Sequence, residues 1–377
     1  MSAARRALVL GGGIVGLCSA RALLRDGWAV TVVDASPLPN PRGASVDQHR
    51  LIRHAYGAST GYMRMVDAAH AAWNGLFDEI GERPYVATGT LALADEAAAA
   101  GWLADTRRAL RDDNRPVRDL APESLAERFP LLDPAGLAEA LLLPTGGVLL
   151  AERIVAGLAR HLSANGVALR RERAVGAEPD RARLVLENGE ALAADLLVLA
   201  AGPWTARLVP GLAQRAVPSR QVVAYLEPPA GERDGWARMP MLLDLSERGG
   251  FYAVPPVRNT ALKVGDHRFS LRGDAEADPR EATPAEAEEI LALARPRLRN
   301  AAGYRLLGAR ACYYDVSPAE RIVLEPLGER ALAVCGTSGH GFKFGAVLGE
   351  AVARAASDPG AHPALAAWAA GEAPLPA

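Results

Sequence analysis

Apolar residues fill the short stretch 7–10 and all but Thr31 of 30–33, and between them recur at helical spacing at Leu17, Ala20, Leu23 and Leu24. That pattern predicts strand, helix, strand. Gly11, Gly13 and Gly16 stand at the first junction, Gly27 ends the helix, and Asp34 closes the second strand. Further on, Met65, Ala68, Ala69, Ala72, Leu76, Phe77 and Ile80 share one face of a helix over 64–80. An Ala-rich stretch predicts a helix over 95–112, and another over 152–164 is stopped by Asn165-Gly166. Strands are expected at 167–170 and 183–186, the latter before the hairpin signal Asn188-Gly189. More follow at 195–200, 220–226, 250–254, 260–265 and 330–335. Thr283, Pro284 and Glu286 spell a capping box with proline at the first position of a helix reaching about 295. The polar, basic stretch 42–57 reads as a loop, 336–345 as a second glycine-rich loop, and 347–356 as the helix after it.

These elements make an α/β plus α+β protein in two interleaved parts. A discontinuous nucleotide-type domain takes 1–85, 145–219 and 310–377. A strand-rich substrate domain takes 86–144 and 220–309.

The first junction carries the chemistry. Gly11, Gly13 and Gly16 have G-x-G-x-x-G spacing between a strand and a helix. The first glycine allows a tight turn, the second lets backbone approach a pyrophosphate, and the third lets the helix pack on the sheet. The helix N-terminus offers free N–H groups to phosphates. Asp34 suits an adenosine ribose and argues against a 2′-phosphate, so FAD or NAD is favoured over NADP. Ala201 to Trp204, small residues and a turn after a strand, suit backbone packed against a dinucleotide.

Composition narrows the field. The chain has 377 residues, half of them hydrophobic, and a net charge of −2, so a sizeable core is expected and neither nucleic acid nor an anionic membrane is a partner. Cys18, Cys312 and Cys335 do not make a disulfide framework, which fits a reducing cytoplasm. The apolar run after Arg5-Arg6 stops at Arg21, too short to span a bilayer. No metal site is expected. Of 42 basic residues only Lys263 and Lys343 are lysine. Where charge alone matters this chain uses arginine, so these two positions need a compact ammonium with a tunable pKa. Arg50 and Arg53, flanking Leu51-Ile52, suit two guanidiniums reaching one site.

Four stretches, HRLIRHAYG (49–57), ALKVGDH (261–267), ARACYY (309–314) and GTSGHGFKFG (336–345), together resemble the monomeric sarcosine oxidase family. That family includes N-methyltryptophan and pipecolate-type oxidases and lies within the D-amino-acid-oxidase-like flavoproteins. The resemblance runs from residue 7 to about 350. It implies an FAD-binding Rossmann-like domain with an inserted antiparallel-sheet substrate domain. It implies FAD contacts at Gly11, Gly13, Ile14, Val15, Gly16, Asp34, Ala35, Ser45, Arg50, Val175, Ala201, Gly202, Trp204, Gly339, Gly341, Phe342 and Lys343. It makes Cys312 the residue of covalent flavin attachment, with neighbouring cations lowering its pKa. Arg53 and Lys343 match the pair that grips the substrate carboxylate. Lys263 matches the lysine that promotes reaction with oxygen, Arg50 an arginine beside the flavin, and His267 a histidine near the substrate amine. Tyr314 matches a pocket tyrosine, and Phe251 or Tyr252 falls where another aromatic lines the pocket.

The implied reaction is oxidation of a secondary α-amino acid to the imine, with oxygen reduced to hydrogen peroxide, by a monomer. Two other readings stand beside it: a flavin dehydrogenase or desaturase tailoring a cyclic amino acid in a biosynthetic pathway, and a flavin-binding protein without catalysis. The chain departs from the family at Ala44-Ser45-Val46, at His49, at Asp315 and at Glu320-Arg321. These departures leave the flavin machinery intact and bear on the substrate.

Overall fold

In the computed structural model, which describes residues 4–246 and 250–376, the strand Arg6–Leu10 lies inside a six-stranded sheet. The sheet order is Val323–Pro326, Ala331–Cys335, Leu196–Leu199, Arg6–Leu10, Ala29–Asp34, Ala168–Arg171. All neighbours are parallel except the first pair. Strands this continuously apolar are covered on both faces, and here alternation divides the cover. Ala7 and Val9 meet the helices Ile14–Arg25, Thr60–Ile80, Ala151–Ala164 and Gly341–Ser357. Leu8 and Leu10 meet a small antiparallel sheet, Ala174–Glu178, Arg183–Leu186 and Ala191–Ala193. The hairpin at Asn188-Gly189 is present, with Gly189 at φ +85.

A second, eight-stranded sheet runs Arg305–Val316, Val217–Glu227, Leu262–Asp266, Phe251–Val254, Met241–Asp244, Thr90–Ala94, Glu139–Leu143, Arg118–Leu120. It is antiparallel except where Met241–Asp244 runs parallel to Thr90–Ala94. Helix Pro284–Ala294, with the full Thr283–Glu286 capping box, covers one face. Leu262, Val264, Phe251 and Ala253 point into that core. Their neighbours in sequence, Lys263 and Tyr252, therefore belong to the opposite face.

Several expectations change. Boundaries placed at 219/220 and 309/310 fall inside the paired strands Val217–Glu227 and Arg305–Val316. The loop expected over 42–57 contains the strand Arg50–Ile52, paired with Gly147–Leu149. The helix expected over 95–112 is broken: a wide π-type turn at Ala99–Leu103, with Gly101 out of helical geometry, precedes Ala104–Asp112. The last glycine-rich loop is shorter than expected, because the helix begins at Gly341. No helix among the described residues is long and apolar enough to cross a membrane.

Candidate active site

The glycine turn opens onto a cavity of about 450 Å³. Gly11, Gly13, Ile14, Val15, Asp34, Ala35, Ser45, Arg50 and Val175 line it, with Ala201, Gly202, Trp204, Gly339, Gly341 and Phe342. Gly11 sits at φ +108, and a Cβ there would collide with the Ala200 carbonyl. Only glycine permits that turn. Gly16 lies outside the cavity wall; a Cβ there would strike the Gly11 carbonyl, so its part is close packing of helix on strand. The Ile14 N–H donates to Ser45 Oγ at 2.9 Å. Asp34 accepts from the Gly12 and Ser36 amides at 2.8 and 2.9 Å and from Asn40 Nδ2 at 2.8 Å. A carboxylate has about four lone-pair positions, so one remains for a ribose hydroxyl.

A second cavity, about 520 Å³, shares Arg50, Tyr314, Gly339 and Phe342 with the first. An elongated ligand can therefore run from Asp34 past the shared wall into it. Strands of the eight-stranded sheet supply Tyr252, Lys263 and Cys312, and His267 follows directly after one of them. Arg53 and Tyr56 follow the strand Arg50–Ile52, and Lys343 comes from the first turn of Gly341–Ser357. The glycine cradle, the acid at its far end and the adjoining room for a second ring system fit FAD.

Two cations meet here, and no carboxylate of the described residues forms an ion pair with either. Arg53 lies over the Tyr56 ring, 4.7 Å from its centroid, and its Nη1 has no hydrogen-bond partner among the described residues. Lys343 Nζ stands 5.4 Å from the same ring. Burial and then the charge of Arg53 hold the Lys343 ammonium well below its ordinary range, and burial lowers Arg53 too. Glu320, at the rim, acts on Arg53 only through space.

A different arrangement surrounds Lys263. Its Nζ donates to Asp47 Oδ2 at 2.9 Å and to the His49 carbonyl at 2.8 Å. Arg50 pairs with the same Asp47 oxygen, and the Tyr225 hydroxyl donates to the other at 2.6 Å. Burial, which alone would raise the Asp47 carboxyl, is outweighed by Lys263 and Arg50, which hold it well below the carboxylate range.

His267 is open to the cavity, and its Nε2 donates to the Phe251 carbonyl at 3.0 Å. Desolvation by the surrounding cavity wall and then the charge of Arg53 push it down to about 4.

Two expectations fail. Phe251 is buried in the core beneath helix Pro284–Ala294, and only Tyr252 faces the cavity. The Cys312 thiol is pushed up by burial, which outweighs the lowering by Arg50, Arg310 and Lys263. Sequence reasoning also missed Asp47, Tyr225, Trp102 and His340. Trp102 reaches the cavity from the π-type turn, which helical periodicity does not reveal.

Comparisons with known proteins agree with this geometry. Residues 6–355 match the family described as FAD dependent oxidoreductase. The N-methyl-L-tryptophan oxidase of Yersinia pestis (strain Pestoides F) is 28% identical over 357 residues, covering 93% of this chain and 94% of the relative. Among solved structures, NikD, an unusual amino acid oxidase essential for nikkomycin biosynthesis, superposes with a TM-score of 0.80 at 20% identity, covering 94% of this chain and 95% of that one. The L-proline dehydrogenase from P. horikoshii superposes at 0.82 with 19% identity, covering 98% and 97%.

Proposed function

The chain belongs to the family of FAD-dependent oxidoreductases, and on that premise we propose that it oxidises a secondary α-amino acid, N-methylated or cyclic, to the imine, with oxygen reduced to hydrogen peroxide. The observation that carries this reading is the pair Arg53 and Lys343, buried together in one cavity with no carboxylate of the described residues paired to either. A substrate carboxylate supplies the missing anion, and charge-assisted hydrogen bonds from two cations fix the carbon beside it.

FAD, when bound, supplies the two-electron acceptor. The protein supplies position and charge. His267, neutral above about pH 4, receives the substrate amine on the same cavity wall. Lys263 presents a positive charge where negative charge develops on oxygen. Tyr252 and Tyr314 shape the space around the reacting carbon. Cys312 borders the cavity and is the residue we assign to covalent attachment. The Yersinia relatives, named for an N-methylated amino acid, support the secondary-amine class. The same reading has the chain act as a cytoplasmic monomer.

The test is anaerobic mixing of the purified yellow protein with N-methyl and cyclic amino acids. Bleaching of the visible flavin band, followed by peroxide release in air, supports the reading. Bleaching without peroxide makes the protein a dehydrogenase. No bleaching by any secondary amino acid leaves a flavin-binding protein. Acid precipitation tests Cys312: colour retained in the pellet means a covalent flavin, and colour released to the supernatant removes that assignment.

A further inference from the structure

We propose that Asp47 is a positioning residue: its carboxylate holds the Lys263 ammonium so that one N–H is left for the cavity and the positive charge there is fixed. The consequence for oxygen rests on the role given to Lys263 above; the hold of Asp47 on Lys263 does not.

An ammonium has three N–H donors. Lys263 spends two, on Asp47 Oδ2 and on the His49 carbonyl. The third has no acceptor among the described residues, and Lys263 is part of the cavity wall. Asp47 itself cannot swing. Oδ2 also accepts from Arg50, and Oδ1 accepts from the Tyr225 hydroxyl and the Gln48 amide, both at 2.6 Å. Tyr225 is the cross-strand partner of Lys263, so one carboxylate ties down two neighbouring residues of the sheet. The segment carrying it is bolted to the same sheet. The Ala261 amide donates to Gln48 Oε1 at 2.8 Å, and the His49 ring meets the Ala261 carbonyl at 3.2 Å. The Glu152 amide donates to the Asp47 carbonyl at 3.1 Å.

The charges leave Asp47 alone in its role. Around Lys263 stand Arg50 and Asp47 as charged groups, His49 pushed down to about 3 by burial and by Lys263, and Cys312, Tyr225 and Tyr252, all raised by burial. Among the described residues, the two cations and one anion of this cluster leave it one net positive charge. Without Asp47, Arg50 and Lys263 would share the site with no anion. Arginine does not give up its proton, so lysine would. Burial already brings Lys263 down to about 8, with Asp47 opposing burial and Arg50 adding to it. A neutral lysine has two N–H groups and a lone pair, and brings no charge to the cavity.

The chain's two lysines make this measurable. Protein labelled with [15Nζ]lysine gives two side-chain signals, and Lys343→Met assigns the remaining one to Lys263. Asp47→Asn is expected to lower the pH midpoint of the Lys263 signal by about one to three units. The rate constant for reoxidation of the reduced enzyme by oxygen should shift along the pH axis by the same amount. An unmoved midpoint overturns the proposal. So does a moved midpoint with an unmoved oxygen profile, if Lys263→Met is slow with oxygen. If Lys263→Met reoxidises as fast as wild type, the oxygen role of Lys263 falls, while a moved midpoint in Asp47→Asn still supports the hold of Asp47. Should Asp47→Asn not fold, Tyr225→Phe carries the test. It leaves the Asp47 charge less shared, so the midpoint rises; a fall or no change overturns the proposal.

Discussion

Lys343 is buried, and none of the described residues gives it a carboxylate, a cost with a sign that can be measured. Burial lowers its folded-state pKa below the 10.5 of the unfolded chain. Between those two values the unfolded state binds more protons, so stability rises with pH across that window. Below the folded value the whole cost is present. Lys343→Met is therefore expected to stabilise the substrate-free protein near neutral pH by about 1–3 kcal/mol, and the gain should fade as pH approaches 10.5. The same variant should weaken substrate binding about ten- to hundredfold, the worth of a hydrogen bond to a charged group. Melting temperature against pH and substrate titration of the flavin spectrum check the two halves. A variant that loses stability at every pH would mean that Lys343 has a partner. Both lysines were visible in the sequence because a composition so poor in lysine singles them out. Asp47 was not: an acid among arginines in a polar stretch looks like any solvated charge. Only the approach of Lys263, 216 residues away, and of Tyr225 shows it buried and shared.

Among the elements, helix Gly341–Ser357 matters most to the site, since its first turn carries Lys343. It lies against helix Ile14–Arg25 through glycines. A Cβ at Gly345 would come within 2.7 Å of the Ile14 side chain, and one at Gly349 would collide with the backbone of Cys18. Gly349→Ala should cost about 1–3 kcal/mol through overpacking and, by shifting the helix, raise the substrate KM. Gly211→Ala, where an added Cβ meets nothing within 4 Å, should leave both unchanged. Thermal melts and steady-state kinetics of the two variants decide it. The same glycines explain why the start of this helix was misplaced. Glycine lowers helix propensity, so a stretch with Gly336, Gly339, Gly341 and Gly345 reads as loop, while close packing against the first helix needs glycine on that face. Where the signal was local it held: the capping box of Thr283 and Glu286 and the turn at Asn188-Gly189 both stand as expected.

The molecule as a whole is organised around two adjoining cavities, one walled mainly by the parallel sheet and its loops, the other by one face of the antiparallel sheet together with segments 47–62 and 319–343. Contacts also cross the mouth of the first. Glu276, in the chain between strand Leu262–Asp266 and helix Pro284–Ala294, accepts from Trp204 Nε1 at 2.8 Å and pairs with Arg173 at 2.8 Å. A cofactor filling these cavities binds the folded state alone and so stabilises it by mass action. With Cys312→Ser the flavin should be released by acid, and the melting temperature should then rise with added FAD, by the equivalent of about 2.7 kcal/mol at a hundredfold excess over Kd. A melting temperature indifferent to FAD would separate the cavities from the cofactor.

The strand–helix–strand start, the dinucleotide turn, the identity of the cations and the presence of a strand-rich part were all legible along the chain, because each rests on residue type and spacing within a few turns of chain. Which face of each strand meets the cavity depends on long-range packing. Phe251 and Tyr252 are equal candidates as letters, and only the cover of helix Pro284–Ala294 on one side sends Phe251 inward and Tyr252 to the site. The same packing also set Met241–Asp244 beside Thr90–Ala94, and it closed Asp47 over Lys263. Those pairings join segments far apart in the chain, and their free energy comes from burial and charge that exist only once the segments meet.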